Sequence, residues 1–222
     1  MWRGRVLHHG GGARQGRSVM LLLMLVRNIA VLDRKPPLTL GLIGLMGALH
    51  FQKTLSPAQF KRYSLCPDRV LANAEWSRVF ASAFLHVDDV HLYHNMISFL
   101  WKGYHLEHRF GWLRFALTIA YLLVVCHVLV VVLAFSLETC VGLRGYSRQC
   151  SIGFSGVLFA LKVLLNHGSP AFTNVYGFRV PTKYAAWLEL VYIHLLVPRT
   201  SFIGHMCGIL AGAFTQPRMT TS

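Results

Sequence analysis

The stretch LRFALTIAYLLVVCHVLVVVLAF, residues 113–135, contains one basic residue, Arg114, and no acidic one. A helical rise of about 1.5 Å per residue carries it roughly 34 Å, enough to cross the ~30 Å hydrocarbon core of a bilayer. Lipid offers no partner to backbone N–H and C=O groups, so a segment of this kind is read as a helix. Outward from it lie five more apolar segments, with cores at 38–51, 91–106, 151–166, 184–197 and 201–214. Several fall short of the roughly 20 residues a span requires, so flanking residues extend the helices or the bilayer thins around them.

Composition agrees. Of 222 residues, 54% are apolar and 14% charged, where a soluble domain carries roughly 25% charged. A water-soluble globule and an intrinsically disordered chain are both excluded. The net charge of +14 does not point to nucleic acid, because Lys and Arg are scattered in small groups between apolar stretches, as in loops that face anionic lipid. The expected fold class is an all-α membrane protein of six transmembrane helices.

Residues 1–35 read as a basic tail with an apolar interfacial or leading helix over 18–32, and residues 215–222 as a short second tail. The Arg-rich, acid-poor start also fits a mitochondrial address. With connections alternating sides, the first tail shares the more basic side with Lys102, Arg109, Arg114, Arg179 and Lys183, which places the N-terminus in the cytosol. The long connection 52–90 carries Trp76, Arg78 and a run of Asp and His, and loops of that length are usually functional. No internal repeat is visible. Of the five cysteines, Cys126 and Cys207 lie in apolar runs and read as small buried hydrophobes, and Cys140–Cys150 is the bridge expected if one forms.

Polar side chains inside spans are costly and mark candidate sites. His91, His94, Asn95 and Ser98 share a stripe at the start of the second span. Ser155 opens the fourth within Gly153-Phe154-Ser155-Gly156, and His205 opens the sixth within Gly204-His205-Met206-Cys207-Gly208. These three spans run in one direction with their polar groups near their beginnings, so the groups share one depth. Gly204, Gly208 and Gly212 form one row of small residues and Gly153, Gly156 and Ala160 another, which lets the two helices approach closely. A hydroxyl beside an imidazole is the minimal equipment for nucleophilic acyl transfer, with His205 as base and Ser155 as nucleophile. No aspartate is available in the spans, so the expectation is a dyad. His91 and Asn95, with the Ser155 N–H, are placed to donate to an oxyanion.

Other chemistries fit less well. The zinc motif His-Glu-x-x-His is absent, and His105-Leu106-Glu107-His108 has the wrong spacing. A membrane aspartyl protease needs two carboxylates in the spans, where Glu189 stands by itself. Metal binding by His86, His91, His94 and His205 is a weaker alternative; no metal and no other cofactor is expected. Glu189 and His194 read as helix-packing or lateral-entry residues.

These same residues resemble those of rhomboid intramembrane serine proteases. The resemblance covers about residues 36–214 and rests on His86-x4-His91-x3-Asn95, Gly153-Phe154-Ser155-Gly156 and Gly204-His205-x2-Gly208-x3-Gly212, in order on the second, fourth and sixth spans. Leu92 to Met96, Leu100 to Gly103 and Gly153 to Val163 are most similar to the endoplasmic-reticulum group of that family. The resemblance implies the six-helix rhomboid bundle, Ser155 and His205 as the catalytic pair, and His91 and Asn95 as oxyanion donors. It also implies that His86 stands at a water-filled mouth and that Gly153 lines the site. Trp76-Ser77-Arg78 departs by one residue from the family's Trp-Arg pair. The chain ends at Ser222, so the ubiquitin and ATPase partners that a long cytosolic tail would engage are not expected.

The activity implied is hydrolysis of peptide bonds in or near transmembrane segments of single-span or multi-span membrane proteins. The resemblance also implies that substrate enters past the fifth span, with Val197 to Ile203 as a movable cap. The expected location is the endoplasmic-reticulum membrane, with the mitochondrial inner membrane as the alternative. The competing reading is a catalytically silent rhomboid-like protein that binds membrane clients; a small transporter is disfavoured by the lack of internal symmetry.

Overall fold

The computed structural model describes residues 11–52, 57–167, 169–175, 177–197 and 200–219. Residues 1–10 of the expected basic tail, 198 and 199 of the expected cap, and 220–222 of the expected second tail lie outside them. The elements in order are α1 (Gly11–Ala30), α2 (Pro37–Gln52), α3 (Pro57–Tyr63), α4 (Pro67–Ala72), α5 (Ser77–Phe84), α6 (Asp89–Phe110), α7 (Trp112–Thr139) and α8 (Ser155–His167). After a hairpin of β1 (Phe172–Val175) and β2 (Phe178–Pro181) come α9 (Ala185–Leu196) and α10 (Phe202–Met219).

A helix covers each expected apolar segment, namely α2, α6, α7, α8, α9 and α10. Among the described residues α7 is the one helix long and apolar enough to cross a membrane; α2, α8 and Phe202–Thr215 of α10 are shorter apolar helices. The mostly helical chain fits the all-α expectation, and its described strands form a single two-stranded hairpin, in which Phe172 pairs with Pro181 and Val175 with Phe178. Pro170 ends the helical run after α8, and the residues that follow are rich in strand and turn formers.

The core is aromatic at its centre. Phe99 of α6, fully buried, stacks on Phe115 of α7 with ring centroids 6.4 Å apart and meets Phe154 edge-on at 5.0 Å. Around it, buried polar groups join elements that apolar contact alone would leave free to slide. The Glu107 carboxylate near the end of α6 accepts from Leu38 N–H and Thr39 N–H, both at 2.8 Å, and from Thr39 Oγ1 at 2.6 Å. A negative charge at the first turn of α2 satisfies donors that have no partner within the helix and suits the helix dipole. His127, midway along α7, meets Val79 O of α5 through Nδ1 at 2.5 Å.

α1 lies lengthwise along α6. Ser18 Oγ donates to Asp89 at the start of α6 at 2.5 Å, and Asp89 also meets His50 Nε2 from the end of α2 at 2.8 Å. At the other end of α1, Lys35 Nζ donates to the carbonyls of Ile29, Ala30 and Leu32 just before α2 begins. The first described residues therefore stand at the Asp89 end of the bundle, away from Arg109.

The connection between α2 and α6 folds into α3, α4 and α5 and is pinned at two places. Arg78 is buried; it pairs with Glu75 and donates from Nη1 to the carbonyls of Lys61 (2.8 Å) and Ser64 (2.9 Å). The side-chain amide of Asn73, together with Arg78, holds the Glu75 carboxyl below the usual carboxylate range. The second pin corrects the cysteine expectation: the disulfide is Cys66–Cys150, and Cys140 is free and exposed. The reason is backbone pairing. Leu65 N–H donates to Ser151 O at 2.8 Å and Ser151 N–H to Leu65 O at 2.9 Å, which brings Cys66 beside Cys150. A bond closing a loop of 84 residues contributes roughly 4–5 kcal/mol in the chain-entropy account.

Glu107→Ala leaves buried N–H groups of α2 without an acceptor, each costing about 1–3 kcal/mol. The order of thermal midpoints in detergent should be wild type, then Thr39→Val, which loses one bond, then Glu107→Ala lowest.

Candidate active site

Ser155 is the first residue of α8 and His205 the fourth of α10. Ser201 opens α10: its Oγ accepts Gly204 N–H at 3.1 Å and its carbonyl accepts His205 N–H at 3.1 Å. This cap sets where the helix starts and so where His205 emerges. Across the groove, His205 Nε2 stands 2.9 Å from Ser155 Oγ. His205 is buried, and its Nδ1 has no hydrogen-bond partner among the described residues. Phe159, one turn after Ser155, holds the imidazole from the side at a centroid distance of 4.7 Å. A ring stacked this way is oriented by packing where a carboxylate would otherwise do so.

The contact exists because α8 and α10 nearly touch. A Cβ on Gly208 would overlap Gly156 O, and one on Gly212 would stand 2.7 Å from Ala160 O. Of the two rows of small residues expected from the sequence, Gly208 and Gly212 lie on Gly156 and Ala160, whereas Gly153 precedes α8 and lies against His91 instead. Cys126 of α7 closes the third side, its Sγ donating to Gly204 O at 3.8 Å and lying where a Gly156 Cβ would reach.

Behind Ser155 the chain is held rigidly. Phe154 is fully buried against Phe99, and Gly153 N–H donates to Ser82 O of α5 at 2.8 Å. Gly153 has φ +117, a backbone region that side chains avoid, and a Cβ there would stand 2.7 Å from His91 Cε1. The His91 ring thus lies directly on Gly153, two residues before Ser155. Asp88 caps α6 by accepting His91 N–H at 2.8 Å, and Val87 N–H reaches His91 Nδ1 at 3.4 Å. That acceptor role leaves the proton on Nε2, the nitrogen nearer Gly153.

The expected stripe on α6 divides. His91 and Asn95 face the Gly153 side; Asn95 is buried, donates from Nδ2 to His91 O at 2.9 Å, and keeps Oδ1 without a partner. His94 is exposed against Tyr93, and Ser98 accepts Lys102 Nζ at 2.5 Å. His86 is buried 5.1 Å from His91, ring to ring, and among the described residues neither of its nitrogens makes a well-formed hydrogen bond and the buried Ser82 Oγ has no partner. Glu189 pairs with Lys162 at 3.3 Å and His194 packs on Phe202, so both hold α9 against its neighbours. Among the described residues no three His, Cys, Asp or Glu stand together as metal ligands.

Sequence reasoning missed the groups that brace this site. His127 sits in the most apolar helix and is flagged by the same rule that picked out His205. Ser82 and Cys66 gave no such signal, because their part depends on which loop pairs with which.

A family model described as the rhomboid domain matches residues 73–220. Rhomboid-related protein 4 of Homo sapiens is 42% identical over 203 residues, covering 90% of this chain and 62% of its own length. The Mus musculus protein of that name is 40% identical over 201 residues, with the same coverage. Rhomboid-like protein 14, mitochondrial, of Arabidopsis thaliana is 38% identical over 209 residues, covering 91% of this chain and 63% of its own length. The chain thus spans about 62% of the length of the curated relatives it matches. No solved structure matches.

Gly208→Ala should force α10 away from α8 and lower stability by about 1–3 kcal/mol. Gly47→Ala, in open space on α2, should instead be neutral or raise the unfolding midpoint in the same thermal assay, since Ala is the better helix former.

Proposed function

This chain belongs to the rhomboid family, and on that premise we propose that it is an intramembrane serine endopeptidase working through Ser155 and His205. The observation that carries the reading is the 2.9 Å approach of His205 Nε2 to Ser155 Oγ across a groove lined by glycine. In this account α2, α6, α7, α8, α9 and α10 are the six spans, and the domain runs over residues 36–214.

His205 Nε2 takes the proton of Ser155 as Oγ attacks the scissile carbonyl carbon. The carbonyl oxygen becomes an oxyanion and accepts from His91 Nε2–H, the free Nδ2–H of Asn95 and the Ser155 N–H at the start of α8. His205 then passes its proton to the departing amine, leaving an acyl-enzyme on Ser155. Water, held by His86 and the free oxygens of Ser82 and Asn95, gives its proton to His205 and attacks the acyl carbon; His205 returns the proton to Ser155. No metal or other cofactor enters these steps.

Substrates are membrane proteins that present a transmembrane segment from the bilayer side, past α9. The disulfide lies at the same end of the bundle as Ser155. Such bonds persist in oxidising compartments, which supports a site end facing the lumen of the endoplasmic reticulum.

Ser155→Ala and His205→Ala should each abolish cleavage of a co-expressed single-span substrate at unchanged expression. A serine-directed fluorophosphonate should label wild type and not Ser155→Ala. His91→Ala and Asn95→Ala should each lower kcat by roughly 10²–10³, the usual cost of an oxyanion donor. Cleavage by Ser155→Ala would sink the mechanism, and absence of both cleavage and labelling in wild type would favour the silent client-binding protein.

A further inference from the structure

We propose that Cys66 and Cys150 are positioning residues for this reaction: their disulfide holds the approach to Ser155 in register, and reduction of it switches the protein to a slow form. The proposal rests on the peptidase reading and names a means of regulating that same site.

The approach to the nucleophile, residues 147–154, has no regular structure of its own and takes its position from the connection between α2 and α6. Asp68 N–H donates to Ser147 O at 2.9 Å, Leu65 and Ser151 exchange two backbone bonds, and Gly153 N–H donates to Ser82 O. Within this seam the Cys66–Cys150 bond is the one covalent link. The other wall of the seam is itself anchored, by Arg78 to the carbonyls of Lys61 and Ser64 and by His127 to Val79 O. Three residues separate Ser151 from Ser155, one of them the Gly153 on which the His91 ring rests. A shift at Ser151 therefore loads the two anchors that stand between it and the nucleophile, Gly153 N–H on Ser82 O and Phe154 against Phe99, and through Gly153 it loads the His91 ring.

Access is asymmetric. Cys66 is buried, whereas Cys150 is exposed, so a dithiol reductant meets the bond at Cys150 Sγ. One reductant thiolate attacks that sulfur, the bond to Cys66 breaks, and Cys66 leaves as a thiolate that takes up a proton. The second reductant thiol then closes on the first, releasing the Cys150 thiol; the reductant supplies two electrons and ends as a disulfide. What then holds the seam is an isolated pair of backbone bonds with one more on either side. Cys140 takes no part: it is exposed, with its sulfur 3.5 Å from Thr139 Oγ1.

The test uses the full chain in detergent, in a Cys140→Ser parent that prevents rearrangement, before and after dithiothreitol. Reduction should lower kcat by about tenfold or more, since small misplacement at a reacting centre is expensive in rate. KM should stay within about twofold, because binding of the transmembrane segment is untouched. Amide exchange over residues 151–154 should quicken by about tenfold or more while the interiors of α6 and α7 stay protected. Reoxidation should restore all of these, and Cys66→Ser/Cys150→Ser should match the reduced form. If that double variant does not fold, reduction of protein already folded gives the same comparison. Unchanged exchange over 151–154 on reduction, or an unchanged kcat in the reduced protein, overturns the proposal. An oxidised protein that cleaves nothing defeats the peptidase reading instead, and the exchange measurement still decides the clamp.

Discussion

The backbone approach of α8 and α10 is the constraint on which everything else in the molecule depends. Two side chains as short as serine and histidine can meet across a helix pair when the axes lie unusually close, and a single methyl group at Gly208 is enough to prevent it. In lipid such a contact has no hydrophobic driving force, because the acyl chains are as apolar as the side chains they would replace. Close packing and hydrogen bonds must supply the association. Glycine rows provide the first, and the pairing of Oγ with Nε2 lies on the seam they create.

Polar groups supply the second, and they are spent on fixing elements relative to one another. Glu107 ties the start of α2 to the end of α6, His127 ties α5 to α7, and Lys162 with Glu189 ties α8 to α9. Each joins two elements whose apolar faces would otherwise fit in several registers. The imidazole of His205 is the exception: it reaches the serine through one nitrogen and is steadied at the ring by Phe159. An aspartate in that position would have to be desolvated with no compensating cation nearby.

The helices were legible in the sequence because lipid admits little else over long apolar runs, and 38–51, 91–106 and 113–135 match α2, α6 and α7 within a few residues. That Ser155 meets His205 and that His91 lies at the turn before it was legible because polar residues in such runs are rare and their spacing along each helix is readable. His94 was drawn into the same stripe in error: a stripe of steps 3 and 4 is wide, and its edge faces outward. The hairpin, the lie of α1 and the disulfide were not legible. Each is decided by pairing between segments distant in sequence, which periodicity does not report. Sequence proximity favoured Cys140 for Cys150, whereas the ladder between Leu65 and Ser151 selected Cys66.

The same ladder explains why the connection of nearly forty residues between α2 and α6 forms part of the candidate site. Ser155 opens a helix, so its N–H points away from its own helix, where the proposed reaction would use it, but a helix start is also where a chain is least constrained. Something beyond the helix has to hold it. Phe154 does so from the core side, and the segment from Leu65 to Ser82 does so from the other, through Ser151 and Gly153. Gly153 is where the two supports meet: its N–H is taken by Ser82, its left-handed φ turns the chain into α8, and its missing side chain leaves room for His91. A residue with a Cβ at that point would strain the turn and displace the imidazole at once, which is why the turn, His91 and Ser155 form one unit.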